Sequence, residues 1–308
     1  MRPRTKLFRP LMILARIAKP LQGLFKKIGA AEIAAALALV PDRLQTPDPV
    51  GVVGLYRAAG ERKGRVALLQ GCVQSIIEPH INAATIRLLT RLGFEVDVSS
   101  QSCCGSLTHH LGKEAPALIS AKTSIDAWTA AKVDHVIITA SGCGTTIKDY
   151  GHMLRDDPVY AEKAADISAK ARDVTEFLSA LNLPQQDNHL HIAYHSACSM
   201  QHGQKLKTQP IALLRQAGFK VSEVPEGHLC CGSAGTYNIL QPKIADQLKL
   251  RKISNIESLQ PDVIATGNIG CITQIASGTG IPIVHTIELL EWAYGGTVPQ
   301  KIAHLANK

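Results

Sequence analysis

Eight cysteines dominate the chemistry available to this chain, and they fall into two sets of four. Cys72, Cys103, Cys104 and Cys143 form the first set; Cys198, Cys230, Cys231 and Cys271 form the second. Corresponding members lie 126, 127, 127 and 128 residues apart, and no cysteine is left over. Near-constant offsets at four positions are the mark of an internal duplication. Three chemistries compete for such sets. Disulfide scaffolds are usually short and secreted, whereas 308 residues at 45% hydrophobic content can bury a core unaided. Adjacent cysteines such as Cys103 and Cys104 also make strained bridges. A tetrahedral zinc site normally uses closely spaced cysteine knuckles, which neither set contains. An iron–sulfur cluster is larger than a single ion, so thiolates arriving from three separate loops can reach it. Gly105, Gly144, Gly232 and Gly270 adjoin the cysteines and suit loops that approach a bulky group closely, with N–H groups free to donate to sulfur; plain turn chemistry is the alternative for them. His109, His110, His195, His202 and His228 lie near the thiols in sequence and are candidates to hydrogen-bond sulfur or carry a proton, although twelve histidines would put several there by chance. Ser141 and Thr145 read as loop caps.

Positioning four distant thiols requires elements that converge. Segments 65–70, 94–98 and 133–140 read as strands of the first copy. Pro79 opens a helix with Ile81, Ala84, Leu88 and Leu92 on one face and Gly93 as its stop, and a second helix covers 115–131. The second copy repeats the order with strands at 190–194, 220–224 and 262–266. Cys-Cys-Gly-Ser recurs at Cys103 and Cys230, Gly-Phe-x-Val at Gly93 and Gly218, and a helical motif at Val174 and Thr286. Alternating strands and helices predict an α/β fold: two tandem units, each a small parallel sheet with flanking helices, after a helical N-terminal segment. The expected divisions are 1–64, 65–184 and 185–300. In a parallel sheet every strand-to-helix loop leaves the carboxyl edge, where ligands bind. Each cysteine follows a strand of its copy, so each set is expected at one edge of one sheet.

The net charge of +8 is concentrated at the start of the chain. Arg2, Arg4, Lys6, Arg9, Arg16, Lys19, Lys26 and Lys27 precede the first acid, Glu32, and the remaining residues balance. A basic segment on a neutral body points to an anionic membrane surface or an acidic partner, with a solvated linker as the plainer reading. Its apolar runs fall well short of the roughly 20 residues that span a bilayer. Aromatics at 4% argue against a stacking surface for nucleic acid.

The doubled pattern of a cysteine, a Cys-Cys-Gly and a further cysteine resembles the cysteine-rich CCG domain family over about three quarters of the chain. That family includes the cysteine-rich chain of heterodisulfide reductase, its counterpart in the anaerobic glycerol-3-phosphate dehydrogenase, lactate-utilisation proteins and glycolate oxidase iron–sulfur subunits. The stretches beginning at Leu69, Ala140, Tyr194 and Thr266 look most like the last of these. The resemblance implies a 4Fe–4S-type cluster in each unit, held by the eight cysteines. It also implies electron transfer from a FAD-binding partner that oxidises glycolate to glyoxylate toward a quinone or other acceptor. FAD then belongs to the partner, since no G-x-G-x-x-G follows a first strand here, and this chain is not catalytic alone. The implied location is cytoplasmic, with the basic segment able to rest on the inner face of the cell membrane. Lactate, glycerol-3-phosphate and heterodisulfide complexes are the related alternatives, and a zinc-binding scaffold is the alternative outside redox chemistry. Two departures bear on this. Heterodisulfide-type copies end in Cys-x-x-Cys, whereas Thr146 and Gln274 occupy the fifth-cysteine position here. Glycolate oxidase subunits also carry an N-terminal ferredoxin-like module; this chain has none, and its start resembles the linker that follows that module, implying either a truncated start or a module on another polypeptide.

Overall fold

The computed structural model describes residues 5–100 and 103–306; Arg2, Arg4 and the side chain of Lys6, from the basic segment, lie outside that set. Two sheets organise the chain. The first contains β1 (Gly54–Tyr56), β2 (Gly64–Leu68), β3 (Phe94–Val98), β4 (His135–Ile138) and β5 (Ala171–Asp173), in the order β1-β3-β2-β4-β5. The second contains β6 (His191–Tyr194), β7 (Lys220–Glu223), β8 (Val263–Thr266) and β9 (Ile283–His285), in the order β7-β6-β8-β9. All neighbours are parallel except β1, which runs antiparallel to β3 at the edge. Val66, Ala67 and Leu68 in β2, and all four residues of β8, are buried, as expected for strands covered on both faces.

β2 to β5 and β6 to β9 follow one topology. The first strand of each copy sits inside the sheet, the second on one flank and the third on the other, so successive crossovers leave in opposite directions. That arrangement opens a crevice at the carboxyl edge between the first and third strands. The match reaches single rungs: Leu69 N–H donates to Ile137 O at 3.1 Å, and His195 N–H to Ala265 O at 2.8 Å.

The halves exchange helices across a shared seam. Pro79–Arg91 of the first copy packs on Thr286–Ala293 of the second, and Val174–Ser179 of the first on Gln209–Gln216 of the second. This reciprocity explains why Pro79–Arg91 buries Ala83, Ile86 and Leu89 as well as Ile81, Ala84 and Leu88: it faces a sheet on one side and the other copy on the other. One apolar core consequently runs through both halves.

The structure differs from the sequence reading in three places. Each copy has a fourth parallel strand, β5 or β9, whose three residues are too few to show a period. The N-terminal segment is helical at Thr5–Ala18, Gln22–Lys27 and Ala31–Ala38, yet Gly54–Tyr56 leaves it to extend the first sheet. Cys143 and Cys271 lie inside the first turns of helices Ser141–Lys148 and Ile269–Ala276 rather than in the preceding loops.

Candidate metal centres at the carboxyl edges

Three loops deliver each set of thiols. After β2 the chain turns at Gly71, with φ of +72°, into Cys72. After β3 it reaches Cys103 and Cys104, and after β4 it presents Cys143 from a helix start, where the backbone dipole favours negative charge. The second set arrives the same way, except that Cys198 leads into a π-helical turn, Ser199–Gly203. Among the described residues no cysteine is disulfide-bonded; Cys104, Cys231 and Cys271 are buried and the rest half-buried.

The thiols of each set act on one another. The Cys143 thiol is pushed well above the usual range, first by its hydrogen bond with Cys104 and then by burial and the charges of Cys104, Cys72 and Cys103. Cys72 is raised by its hydrogen bond to Cys103, and that same bond, helped by the Gly105 N–H, lowers Cys103 to about 6. In the second set the Cys198 Sγ donates to the Cys230 Sγ at 3.9 Å, which raises Cys198 and depresses Cys230. Cys231 is raised first by its hydrogen bonds with Cys230 and Cys271; Cys271 falls to about 6, mainly through Cys231 and with help from His195. Four thiolates crowded like this repel, so they ionise together only around a multiply charged, soft metal centre. The donor set therefore fits an iron–sulfur cluster, and Cys72, Cys103, Cys104 and Cys143 in one unit, with Cys198, Cys230, Cys231 and Cys271 in the other, are the residues that would hold it.

The glycines of the two Cys-Cys-Gly motifs serve the backbone and sulfur together. Gly105 and Gly232 adopt φ of +83° and +94°. A Cβ on Gly232 would stand 2.5 Å from the Ala245 carbonyl oxygen, and one on Gly105 2.9 Å from that of Ala117. Both N–H groups point at a sulfur: Gly105 N lies 3.5 Å from Cys103 Sγ and Gly232 N 3.3 Å from Cys230 Sγ. Gly270 donates instead to Asn268 Oδ1 at 3.2 Å, capping its helix, and Gly144 makes room for the Gln204 side chain. The fifth-cysteine positions are tied off in parallel fashion. Thr146 Oγ1 donates to Ser106 Oγ at 2.9 Å, and Asn238 Nδ2 donates to Gln274 Oε1 at 3.0 Å.

The five histidines separate. His195 is buried, and a ring nitrogen together with the sulfurs of Cys231 and Cys271 forms a group within 4.8 Å of one another. His202 and His228 are exposed, with a His202 ring nitrogen 3.2 Å from the His228 carbonyl oxygen, while His109 and His110 sit on the short helix Ser106–His110. Sequence reasoning missed the seam between the sites. Ser141 Oγ shares a 2.7 Å hydrogen bond with Ser199 Oγ, and Thr145 Oγ1 donates to Ser199 O at 3.2 Å, so these hydroxyls join the copies beside Cys143 and Cys198. His285 adds a second tie: Nε2 donates to Thr139 O at 2.7 Å while Nδ1 accepts from Ile287 N at 3.1 Å. No local pattern announces either link, because each joins residues far apart in sequence.

Two parallel α/β units, each gathering four thiols at its carboxyl edge, define a duplicated cysteine-rich protein with two candidate metal sites. Both units match the family model described as a cysteine-rich domain, CCG, over residues 66–148 and 192–276, and the chain belongs to that family. It is 41% identical over 237 residues to the glycolate oxidase iron–sulfur subunit of Escherichia coli K12, covering 75% of this chain and 58% of the relative. It is 31% identical over 271 residues to a probable glycolate oxidase iron–sulfur subunit of Bacillus subtilis 168, covering 84% and 61%. It is also 30% identical over 236 residues to lactate utilization protein A of Geobacillus thermodenitrificans, covering 73% of this chain and 98% of that one. The chain thus spans about three fifths of the glycolate oxidase relatives' length.

Proposed function

We propose that this chain is the iron–sulfur electron-transfer subunit of a glycolate oxidase-type dehydrogenase, working with a FAD-binding partner. The observation that carries the reading is the pair of four-thiol sets whose loops meet at the Ser141–Ser199 hydrogen bond. A bound cluster, of four-iron type and one per set, supplies one-electron storage and transfer. The chain's own part is to hold the two centres side by side, to shield their inner faces with Cys104, Cys231 and Cys271 buried, and to direct the Gly105 and Gly232 N–H groups at sulfur. The proposed units are residues 65–184 and 185–300, with 1–64 as the docking segment.

That segment supports a peripheral position at an anionic membrane or at the partner. Leu7, Leu11, Leu14, Ile17, Leu21, Leu24 and Ile28 are exposed, while Phe8, Met12 and Ala15 turn toward the core. Arg9, Arg16, Lys19, Lys26 and Lys27 lie along the same segment. A helix with an exposed apolar stripe among cations can lie in a lipid interface. No helix among the described residues is long and apolar enough to cross a membrane.

A second reading, electron transfer from lactate, is favoured by the near-complete coverage of lactate utilization protein A. One experiment separates them. The chain is purified anaerobically with its flavoprotein partner, and its absorption band near 400 nm is followed. Bleaching by glycolate supports the proposal; bleaching by lactate alone supports the second reading.

A further inference from the structure

We propose that His195 and Lys252 make the second cysteine set the higher-potential centre of the two. The proposal rests on the iron–sulfur reading above and concerns how the two copies differ. Their equivalence is set by backbone contacts. Leu69 and His195 occupy the same rung, each donating its N–H to the third strand of its sheet. Gly105 abuts Ala117 as Gly232 abuts Ala245, which pairs Ser124 with Lys252, Ile125 with Ile253 and Trp128 with Ile256 along the following helices. All six of these helix residues are buried. Where the first copy has leucine and serine, the second has imidazole and ammonium.

Both replacements face the second site. His195 is 1% exposed, neither ring nitrogen has a nitrogen or oxygen partner among the described residues, and the ring groups with the sulfurs of Cys231 and Cys271. A neutral imidazole carries an N–H, and leaving that donor buried and unmet is costly. The sulfurs of Cys231 and Cys271 are acceptors within reach. Lys252 is 2% exposed and donates to the Glu226 carbonyl at 2.8 Å, with Cys231, Cys230 and Cys271 in electrostatic range of its ammonium. A three-donor group has capacity beyond that single carbonyl. Around the first set, Leu69 offers no side-chain donor, and the Ser124 hydroxyl goes to backbone carbonyls, that of Ser120 at 3.0 Å and that of Cys103 at 3.5 Å, rather than to a sulfur. Reduction adds one negative charge to a centre, so an N–H donor and a buried cation favour the reduced form of the second set. One electron leaving the first centre then reduces the second with no other reactant, and His195 and Lys252 act as positioning residues for that order.

The test is an anaerobic redox titration of the full chain followed by electron paramagnetic resonance. Cys104→Ser, which removes the first centre, assigns the two midpoints. The unmodified chain should show the second centre at the higher potential. His195→Leu and Lys252→Met should each lower that midpoint by at least tenfold in the reduction equilibrium, about 59 mV for one electron. Iron content and the other midpoint should stay unchanged. His195→Gln, which keeps an N–H donor, should recover most of the loss, and Leu69→His should raise the first midpoint. Midpoints unmoved in His195→Leu and Lys252→Met, or both moved equally, overturn the proposal. Loss of half the iron in a folded His195→Leu chain makes the imidazole a ligand rather than a donor, which also overturns it. An unmodified chain without iron defeats the underlying reading instead.

Discussion

Replacing Gly232 by alanine should destabilise the second copy far more than the same change at Gly235, although both glycines have positive φ. Gly235 has φ of +57° and, among the described residues, only the His110 Cβ, at 4.0 Å, near a new methyl, so its cost is the left-handed strain alone, about 1–2 kcal/mol. Gly232 has φ of +94°, and its new Cβ would stand 2.5 Å from the Ala245 carbonyl oxygen and 3.1 Å from Gln274 Nε2. The carbonyl belongs to helix Pro242–Glu257 and yields only if that helix moves. Overpacking of this kind adds about 1–3 kcal/mol, giving about 2–5 kcal/mol in all. The displaced N–H also loses its 3.3 Å contact with Cys230 Sγ, so the second centre should loosen with the loop. Urea titrations of the unmodified and two variant chains, followed by far-ultraviolet circular dichroism, measure the difference. Equal losses for Gly232→Ala and Gly235→Ala would refute the argument that contact between this motif and its helix fixes the loop.

Three further outcomes are expected. Cys104→Ser should reduce bound iron by about half while the second centre stays loaded, because thiolate ligation holds each cluster separately; unchanged iron would remove Cys104 from the ligand set. Burial lowers His285 from 6.5 to about 4, so the unfolded chain takes up the proton first and this contribution to stability, about 3 kcal/mol, is lost as pH falls through that window. Denaturation midpoints from pH 7 to 4 should decline through it in the unmodified chain and less steeply in His285→Asn; identical slopes would contradict the assignment. Deleting residues 1–30 should spare both centres yet abolish salt-sensitive co-sedimentation with anionic vesicles, each nearby cation contributing about 1 kcal/mol; equal binding by the deletion variant at low salt would make the segment a linker.

Much of this architecture is visible in the residue order. The doubled Cys-Cys-Gly motif and the apolar runs before each cysteine announce two parallel sheets, and Pro79 and Gly93 bracket a helix observed as Pro79–Arg91. The strands β5 and β9 escaped because three residues carry no period, even though the helices after them, capped at Asp173 and His285, repeat visibly. Ser141 and Thr145 looked like local caps because their partners on Ser199 lie more than 50 residues away. His195 stood out no more than four other histidines until burial separated it. Lys252 gave no signal at all, since a lysine in an amphipathic helix ordinarily faces water, and only the fold turns it inward.

The central claim is that each set of four thiols holds an iron–sulfur cluster, and the most direct test is iron and acid-labile sulfide per chain after anaerobic purification. Two four-iron centres require about eight of each, with a brown colour that dithionite bleaches. A colourless protein carrying one or two zinc ions per chain and no sulfide would contradict the account and leave a metal-bound scaffold in its place.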